Sequence, residues 1–307
     1  MRTAIIDMGT NTFHLMVVEW RVNTYEILLR ERTAVRIGVG GINQNIITKE
    51  GIDRAVNALV QFKKKIDEFN VTDVFAFGTS ALRNAQNTSE VISKIREATD
   101  IETKVISGDE EASYIYNGVN LALKLGQEKS LIMDIGAGSV EFIIGNGKEI
   151  FWKQSFEIGA QRLLERFQKH DPILPSEIES VTEYFGQSLS PLFHAMEIHT
   201  PKILAGSSGT FDTLSDIFCI QSGIAQKELP ETPLTIAAFE KIYPDIISKN
   251  RAERMQIPGM IEMRVDMIVV ACCLVKFILD SFPFEQIRVS SYSLKEGVLA
   301  SLLNKKS

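Results

Sequence analysis

Two short segments combine a carboxylate with glycine and hydroxyl residues at the end of a predicted strand. Residues 7–12 read DMGTNT and residues 134–141 read DIGAGSVE. Glycine lets backbone N–H groups approach an anion, hydroxyls add further donors, and a strand-end carboxylate can hold a divalent cation. A single segment of this kind is also typical of an ordinary hairpin turn. Because the pattern occurs twice, the sequence favours two phosphate-binding loops.

These loops contain most of the candidate ligands. The candidate cation ligands are the carboxylates Asp7, Asp134 and Glu141. On a strand, Ser139 and Glu141 lie on the same face because side chains alternate. The candidate substrate-binding residues are the loop positions Thr10, Asn11, Thr12, Gly136, Ala137, Gly138 and Ser139.

A third segment, residues 107–112 (SGDEEA), precedes a predicted helix. Ser107 and Glu110 have the spacing of a capping box, which gives Glu110 a structural role. Capping does not explain Glu111. Two interpretations of Glu111 stay open: a carboxylate favoured by the helix dipole, or the general base of a hydrolase.

Further anion-binding groups lie elsewhere in the chain. Arg83 follows a predicted strand and is either a solvated arginine or a two-pronged phosphate ligand. Residues 206–210 (GSSGT) form a predicted strand–turn–helix, so Ser208, Gly209 and Thr210 are candidates for anion binding at a helix N-terminus. A basic run, Lys249, Arg251 and Arg254, is either a solvated face or a guide for a polyanion.

The composition argues against several classes of protein. Apolar residues make up 45% and charged residues 23% of the 307 residues, which is typical of a folded globular chain and not of a disordered one. The net charge is −6, so the chain lacks the basic surface that nucleic-acid binding needs. The longest apolar run, residues 267–275, is too short to span a membrane, and Asp7 interrupts the N-terminal apolar run. We therefore expect a cytoplasmic protein that binds neither nucleic acid nor membrane.

The three cysteines lie among apolar residues, which predicts buried free thiols in a reducing compartment. No spacing of cysteine and histidine suggests a zinc site.

Predicted strands and helices alternate along the chain, which indicates α/β architecture. A three-strand meander within residues 3–33 opens the chain, and a second one within residues 131–156 repeats it. Asp7 aligns with Asp134, and Gly9 aligns with Gly136 at the same offset, which indicates a duplication. The expected domains are residues 1–125 and 126–293, and the final helix, residues 294–307, is a candidate to pack back on the first domain.

These segments together resemble the exopolyphosphatase/guanosine pentaphosphate phosphohydrolase (Ppx/GppA) family of the actin–sugar kinase–Hsp70 superfamily. The matching segments span nearly the whole chain: AIIDMGTNTFHLMV, VRIGVGG, GTSALRNA, ISGDEEASYIYNGV, DIGAGSVEF, AGSSGT and SLKEGVL. The resemblance implies two ribonuclease-H-like domains with an interdomain cleft for phosphate. It also implies Mg²⁺-dependent release of terminal phosphate from polyphosphate or pppGpp, with another divalent cation left open.

The resemblance further implies roles for single residues. Glu111 matches the catalytic glutamate of the family, Arg83 matches its phosphate-binding arginine, and Asp134 and Glu141 match its metal-associated acids. Ala137 stands where the family has the middle one of three glycines, and its methyl group would crowd a phosphate or forbid a positive φ.

Two other functions stay open. A kinase or ATPase of the same superfamily would bind ATP tightly and transfer phosphate to an acceptor. A non-catalytic binder of polyphosphate or an alarmone would fit the departure at Ala137, although the presence of Glu111, Asp134 and Glu141 argues against it. The expected partners are polyphosphate or guanosine pentaphosphate, and a homodimer stays open.

Overall fold

The computed structural model describes residues 1–22, 24–225 and 229–306, so the predicted turn residue Asn23 lies outside the described residues. The strands are β1 (Arg2–Met8), β2 (Thr12–Arg21), β3 (Thr24–Ala34), β4 (Asp73–Gly78), β5 (Thr103–Val105), β6 (Ser130–Ile135), β7 (Val140–Gly145), β8 (Ile150–Phe156), β9 (Ile203–Ser207), β10 (Glu231–Thr232) and β11 (Gln286–Ser290). The helices are α1 (Lys49–Glu68), α2 (Ser80–Asn84), α3 (Thr88–Thr99), α4 (Gly108–Leu123), α5 (Ala160–Phe167), α6 (Pro175–Ser188), α7 (Ser190–His199), α8 (Ser208–Gln221), α9 (Ile236–Ser248), α10 (Arg251–Arg254), α11 (Ile268–Ser281) and α12 (Leu294–Lys306).

The strands form two mixed sheets with the same internal order. The first sheet has the order β3-β2-β1-β4-β5, and the second has the order β8-β7-β6-β9-β11-β10. In each sheet the first three strands of this order pair antiparallel with one another. The next two pairings, from the third strand to the fourth and from the fourth to the fifth, are parallel. The second sheet adds the short antiparallel edge strand β10. This repeated order confirms the predicted α/β fold with two ribonuclease-H-like sheets.

The two strand-end loops close with the same hydrogen bond. The N–H of Gly9 donates to the carbonyl of Thr12 at 3.1 Å, and the N–H of Gly136 donates to the carbonyl of Ser139 at 3.0 Å. A Cβ atom on either glycine would lie 2.9 Å from that carbonyl oxygen, closer than side chains normally approach. The turn therefore requires glycine in both copies, which supports the duplication.

Apolar side chains build a separate core under each sheet. Every residue of β6 and β7 is buried, because helices cover both faces of this sheet. Helix α1 covers the first sheet with one apolar face, and Thr48 caps its N-terminus by accepting from the N–H of Gly51 at 3.1 Å. The buried residues of that face recur at helical spacing: Ile52, Ala55, Leu59, Phe62 and Ile66.

The chain divides into two compact units whose boundaries differ from the expected ones. The first unit contains Met1–Glu111 and the chain from Val298 on, and the second contains Ala112–Gly297. The first boundary therefore lies inside α4 and not after it. The physical reason is that the later turns of α4 pack within the second unit, where the hydroxyl of Tyr116 donates to the carbonyl of Asn146 at 2.8 Å.

Two further sequence patterns predict a helix over residues 260–280 and, in a helix that starts with Pro175, a capping box of Ser176 and Glu179; the structure differs from both. The helix expected over residues 260–280 begins only at Ile268, because residues 257–264 form successive turns and Gly259 has a φ of +97°. Helix α6 begins at Pro175, one residue before the predicted cap. Its capping glutamate is therefore Glu177, which accepts from the N–H of Leu174 at 2.9 Å, and the predicted Ser176–Glu179 box is wrong.

The predicted state of the cysteines is confirmed. Cys219, Cys272 and Cys273 are buried free thiols. Among the described residues, no helix combines the length and apolar character that crossing a membrane requires.

Helices α4 and α12 cross closely within the second unit because each has a glycine at the contact. A Cβ atom on Gly297 would overlap the carbonyl oxygen of Tyr114, and one on Gly118 would overlap the carbonyl oxygen of Ser293. Both carbonyl oxygens are backbone atoms, so they cannot move without shifting a helix.

We expect Gly297→Ala to lower the free energy of unfolding by about 1–3 kcal/mol, the usual cost of overpacking. The matched control is Gly186→Ala in α6, where a Cβ atom meets nothing within 4 Å. This control is expected to be neutral or to stabilise by up to about 1 kcal/mol, because alanine is the better helix former. Urea unfolding measures both variants, and equal midpoints would contradict the close crossing.

Candidate active site

Backbone hydrogen bonds from residues 35–38 hold the strand-end loop of the first unit. The carbonyl of Thr10 accepts from the N–H of Gly38 at 3.2 Å, and the carbonyl of Asn11 accepts from Val35 at 2.9 Å and Arg36 at 2.8 Å. Thr10 and Asn11 are buried, and Thr10 Oγ1 and Asn11 Nδ2 have no hydrogen-bond partner within the described structure. Buried polar atoms without partners are rare. These two atoms are therefore available to a polar ligand at this loop.

The two predicted catalytic residues contact each other in the first unit. Arg83 lies in the last turn of α2, and Glu111 lies in the first turn of α4. Arg83 Nη1 donates to Glu111 Oε2 at 2.6 Å, and the two side chains are only 16% and 9% exposed. A charge-assisted bond of this length holds the carboxylate in one orientation. The solvated-arginine interpretation of Arg83 is therefore wrong.

The neighbouring Glu110 has the structural role that its spacing predicts. Ser107 Oγ accepts from the N–H of Glu110 at 3.1 Å, and Glu110 Oε2 accepts from the N–H of Ser107 at 3.1 Å. Glu110 also pairs with Lys104 at 2.6 Å. The hydrogen bond from Lys104 and the backbone bond from Ser107 hold the pKa of Glu110 below its ordinary value. The predicted capping box is confirmed.

The second loop has two carboxylates where the first loop has one. Asp134 of β6 lies directly opposite Glu141 of β7, so both side chains lie on one face of the sheet. At the equivalent position of the first sheet, Asp7 lies opposite His14. Asp134 and Glu141 are 4% and 1% exposed. The second unit therefore contains the buried acidic pair.

Hydroxyl groups hold both carboxylates of this pair. Glu141 Oε1 accepts from Ser139 Oγ and Ser155 Oγ, both at 2.7 Å. The hydroxyl donors to Asp134 are Ser207 at 2.6 Å, Ser208 at 2.7 Å and Ser293 at 2.6 Å. Ser208 adopts a φ of +68°, which is uncommon for a residue other than glycine.

Sequence reasoning missed three of these donors, Ser155, Ser207 and Ser293. Ser207 lies inside the GSSGT segment and Ser293 opens the SLKEGVL segment. The presence of Ser207 and Ser293 in these two segments was the signal that could have identified them from the sequence.

Helix α5, which the sequence did not predict, holds the glycine loop at residues 136–138. The N–H groups of residues 159–161 donate to the three loop carbonyls at 2.9–3.2 Å, and Arg162 Nε donates to the carbonyl of Gly138 at 2.8 Å. The amides of Ala137 and Gly138 make no backbone hydrogen bond within the described residues, so they are available to an anion.

The backbone of the loop accepts alanine at the position where the family has glycine. Ala137 is not among the described residues with positive φ. The expectation that its methyl group would oppose a positive φ is therefore wrong. The crowding of a phosphate by this methyl group stays a prediction.

The N-terminus of α8 brings together the other predicted anion ligands. Gly209 and the buried Thr210 follow Ser208 in its first turn. Gly209 leaves room for the guanidinium of Arg264, which a Cβ atom at this position would overlap. Arg264, which the sequence analysis did not single out, therefore adds positive charge to this helix end.

The basic run at residues 249–254 is not a free basic face. Arg254 is 1% exposed, so for this residue both the solvated face and the polyanion guide are wrong, whereas Lys249 and Arg251 lie at the surface. Each cation of the run is paired with a carboxylate of the second unit. The partners are Asp245 for Lys249, Glu262 and Asp266 for Arg251, and Asp171 for Arg254.

A carboxyl group beside this helix end titrates near neutral pH. Burial raises the pKa of Asp212 from 3.8 to about 6, and the charges of Arg264 and Lys295 only partly oppose the shift. The negative charges of Asp216 and Asp134 act in the same direction as burial. Because the folded state binds this proton more tightly than the unfolded state, stability falls as the pH rises from about 4 to about 6.

Asp212→Asn is expected to remove this loss of stability at rising pH, because asparagine stays neutral. Between pH 4.5 and pH 7 the wild type should lose about 1–3 kcal/mol more stability than the variant. Urea unfolding in EDTA at both pH values measures the difference. Asp245→Asn, an exposed aspartate variant, serves as the control. A variant with the pH dependence of the wild type would show that Asp212 has an ordinary pKa.

The donor set around Asp134 and Glu141 fits a magnesium ion. The two carboxylates and the five serine hydroxyls that donate to them bring oxygen atoms together, and hard cations prefer oxygen. The part of the chain that the structure describes has no cluster of three or more cysteine, histidine, aspartate or glutamate residues suited to a metal. Magnesium needs no such cage, since one or two carboxylates together with water and substrate phosphates commonly bind it.

Comparison with known proteins gives a consistent result over the whole chain. Residues 16–306 match the model of the Ppx/GppA phosphatase family. The structure is similar to an exopolyphosphatase from Cytophaga hutchinsonii, with 43% identity, a TM-score of 0.95, and coverage of 99% of this chain and 98% of that one. It is also similar to the Aquifex aeolicus member of the Ppx/GppA family, with 25% identity, a TM-score of 0.80, and coverage of 100% and 99%.

Proposed function

Because the chain belongs to the Ppx/GppA phosphatase family, we propose that it hydrolyses the terminal phosphoanhydride of inorganic polyphosphate in a Mg²⁺-dependent reaction. The observation that carries the proposal is the buried, hydroxyl-held pair of Asp134 and Glu141 beside a loop with available amide donors. The 43% identity to a solved exopolyphosphatase supports polyphosphate as the substrate class.

The first unit supplies the base in this proposal. Glu111 accepts the proton of the attacking water, and its bond from Arg83 holds the carboxylate in place. Further guanidinium N–H groups of Arg83 bind phosphoryl oxygen. Thr10 Oγ1, Asn11 Nδ2 and Thr12 provide additional hydrogen bonds to the phosphate, which accounts for the two buried atoms without partners.

The second unit holds the cation and the phosphate oxygens. Asp134 and Glu141 are the proposed ligands of Mg²⁺, and Asp7 is a proposed metal-associated carboxylate of the first unit. Bound Mg²⁺ supplies neutralisation of the negative charge on the phosphates. The donors to phosphate oxygen are the amides of Ala137 and Gly138, in the turn that Gly136 and Ser139 close, and the helix end formed by Ser208, Gly209 and Thr210.

We extend the proposal to pppGpp, because its 5′ end is the same kind of terminal phosphoanhydride. The same donors and the same base would then release its terminal phosphate and leave ppGpp. Positioning and charge neutralisation provide most of the acceleration in this chemistry, so one site can serve both substrates.

Phosphate release tests the proposed function. Purified enzyme is incubated with short polyphosphate, long polyphosphate, pppGpp or ATP, each with Mg²⁺ and with EDTA. We expect release from polyphosphate with Mg²⁺ and none with EDTA. Absence of release from polyphosphate and pppGpp, or transfer from ATP to an acceptor, would overturn the proposal.

A further inference from the structure

The SLKEG segment at residues 293–297 joins the acidic pair to a helix crossing, and the proposed function does not use it. Ser293 Oγ donates to Asp134 Oδ2 at 2.6 Å. The N–H of Ser293 donates to Glu296 Oε2 at 3.1 Å, and Glu296 is 1% exposed. One residue thus contacts both the strand-end carboxylate and the buried cap of α12.

The close crossing of α4 and α12 fixes the position of Ser293. Its carbonyl oxygen lies against Gly118, and one turn later Gly297 lies against the carbonyl oxygen of Tyr114. Neither glycine leaves room for a side chain. The close crossing therefore fixes the backbone of Ser293, and this backbone holds the Ser293 hydroxyl against Asp134.

The hydrogen bonds to Asp134 are unevenly divided between its two oxygens. Oδ2 accepts from Ser207 and Ser293, and Oδ1 accepts only from Ser208. A carboxylate oxygen has two lone pairs. Among the described residues, Oδ2 is therefore saturated and Oδ1 keeps one lone pair.

We propose that Ser293 is a positioning residue that, with Ser207, occupies Asp134 Oδ2 and leaves Oδ1 alone to hold a divalent cation. The inference rests on the proposed function, because it takes Asp134 as a cation ligand. Hydrogen bonds that orient a metal ligand are typically worth about 10–100-fold in metal affinity. Ser293 acts through Asp134 and needs no contact with the substrate.

The test measures Mn²⁺ affinity directly, by electron paramagnetic resonance of the enzyme without substrate. Ser293→Ala is expected to weaken Mn²⁺ binding about 10-fold or more. Ser293→Thr keeps the hydroxyl and is expected to restore most of the affinity. The control is Ser291→Ala, because among the described residues the acceptors of the exposed Ser291 hydroxyl are the carbonyls of Leu229 and Pro230, far from Asp134 in the hydrogen-bond network. Thermal melts show that all variants are folded.

A second readout separates positioning from general damage. In phosphate release, Ser293→Ala should raise the Mg²⁺ concentration needed for half-maximal rate more than it lowers kcat at saturating Mg²⁺. Wild-type Mn²⁺ affinity in Ser293→Ala, no rescue by threonine, or no Mn²⁺ binding to the wild type would each overturn the inference. The proposed function fails on a different result, the absence of phosphate release by the wild type.

Discussion

Replacing Glu111 with glutamine is expected to lower kcat by about 10²–10⁴, the usual contribution of a general base. Glutamine keeps the size of the side chain, and its amide oxygen can still accept the bond from Arg83. The variant loses only the ability to take a proton. Substrate affinity should therefore survive, and the loss should appear in kcat and not in KM.

The matched control is Glu110→Gln, the same chemical change at the adjacent position. Glu110 caps α4 through Ser107 and pairs with Lys104 near the surface. This variant should keep nearly full turnover and lose at most about 1 kcal/mol of stability. Phosphate release and urea unfolding are measured for both variants. Equal losses of turnover would show that Glu111 is not the base.

Asp134→Asn is expected to remove Mg²⁺ dependence and most of the activity, a loss on the order of 10²-fold or more. Asparagine keeps one oxygen acceptor but has no negative charge, and hard cations need charged oxygen ligands. Its NH₂ group would also face hydroxyls that now donate to the carboxylate. The measurement is phosphate release over a range of Mg²⁺ concentrations.

The control for this variant is Asp245→Asn, which makes the same chemical change at an exposed residue. Asp245 pairs with Lys249 on the surface, and such pairs contribute little to stability. Its turnover and its Mg²⁺ dependence should equal those of the wild type. If Asp134→Asn keeps wild-type turnover at the same Mg²⁺ concentration, Asp134 is not a ligand.

The two loops share a backbone but differ in charge. Both close through the same glycine hydrogen bond, and Asp134 faces Glu141 where Asp7 faces His14. Two facing carboxylates can share a divalent cation, and one carboxylate beside a histidine is a poorer site for a hard ion. This difference is why we assign the main cation ligands to the second unit.

Much of the local structure of this protein could be predicted from its sequence, because it depends on residues that are close together in the chain. The duplicated D-x-G turn, the meander that follows each copy and the capping box of Ser107 and Glu110 all depend on neighbouring residues. The apolar residues of α1 recur at helical spacing, a local pattern that predicts a long helix over residues 52–69 from the sequence alone. The α/β class and the loop residues could therefore be named in advance.

Contacts between distant residues decided the rest. Ser293 reaches Asp134 across 159 positions of the chain, and Arg83 reaches Glu111 across 28 positions. Arg254 is part of a charged run in the sequence, yet folding buries it against Asp171. The boundary inside α4 likewise depends on the unit within which each turn of the helix packs. Hydrogen bonds and burial of this kind arise only when separate elements pack together, so no local pattern could specify them.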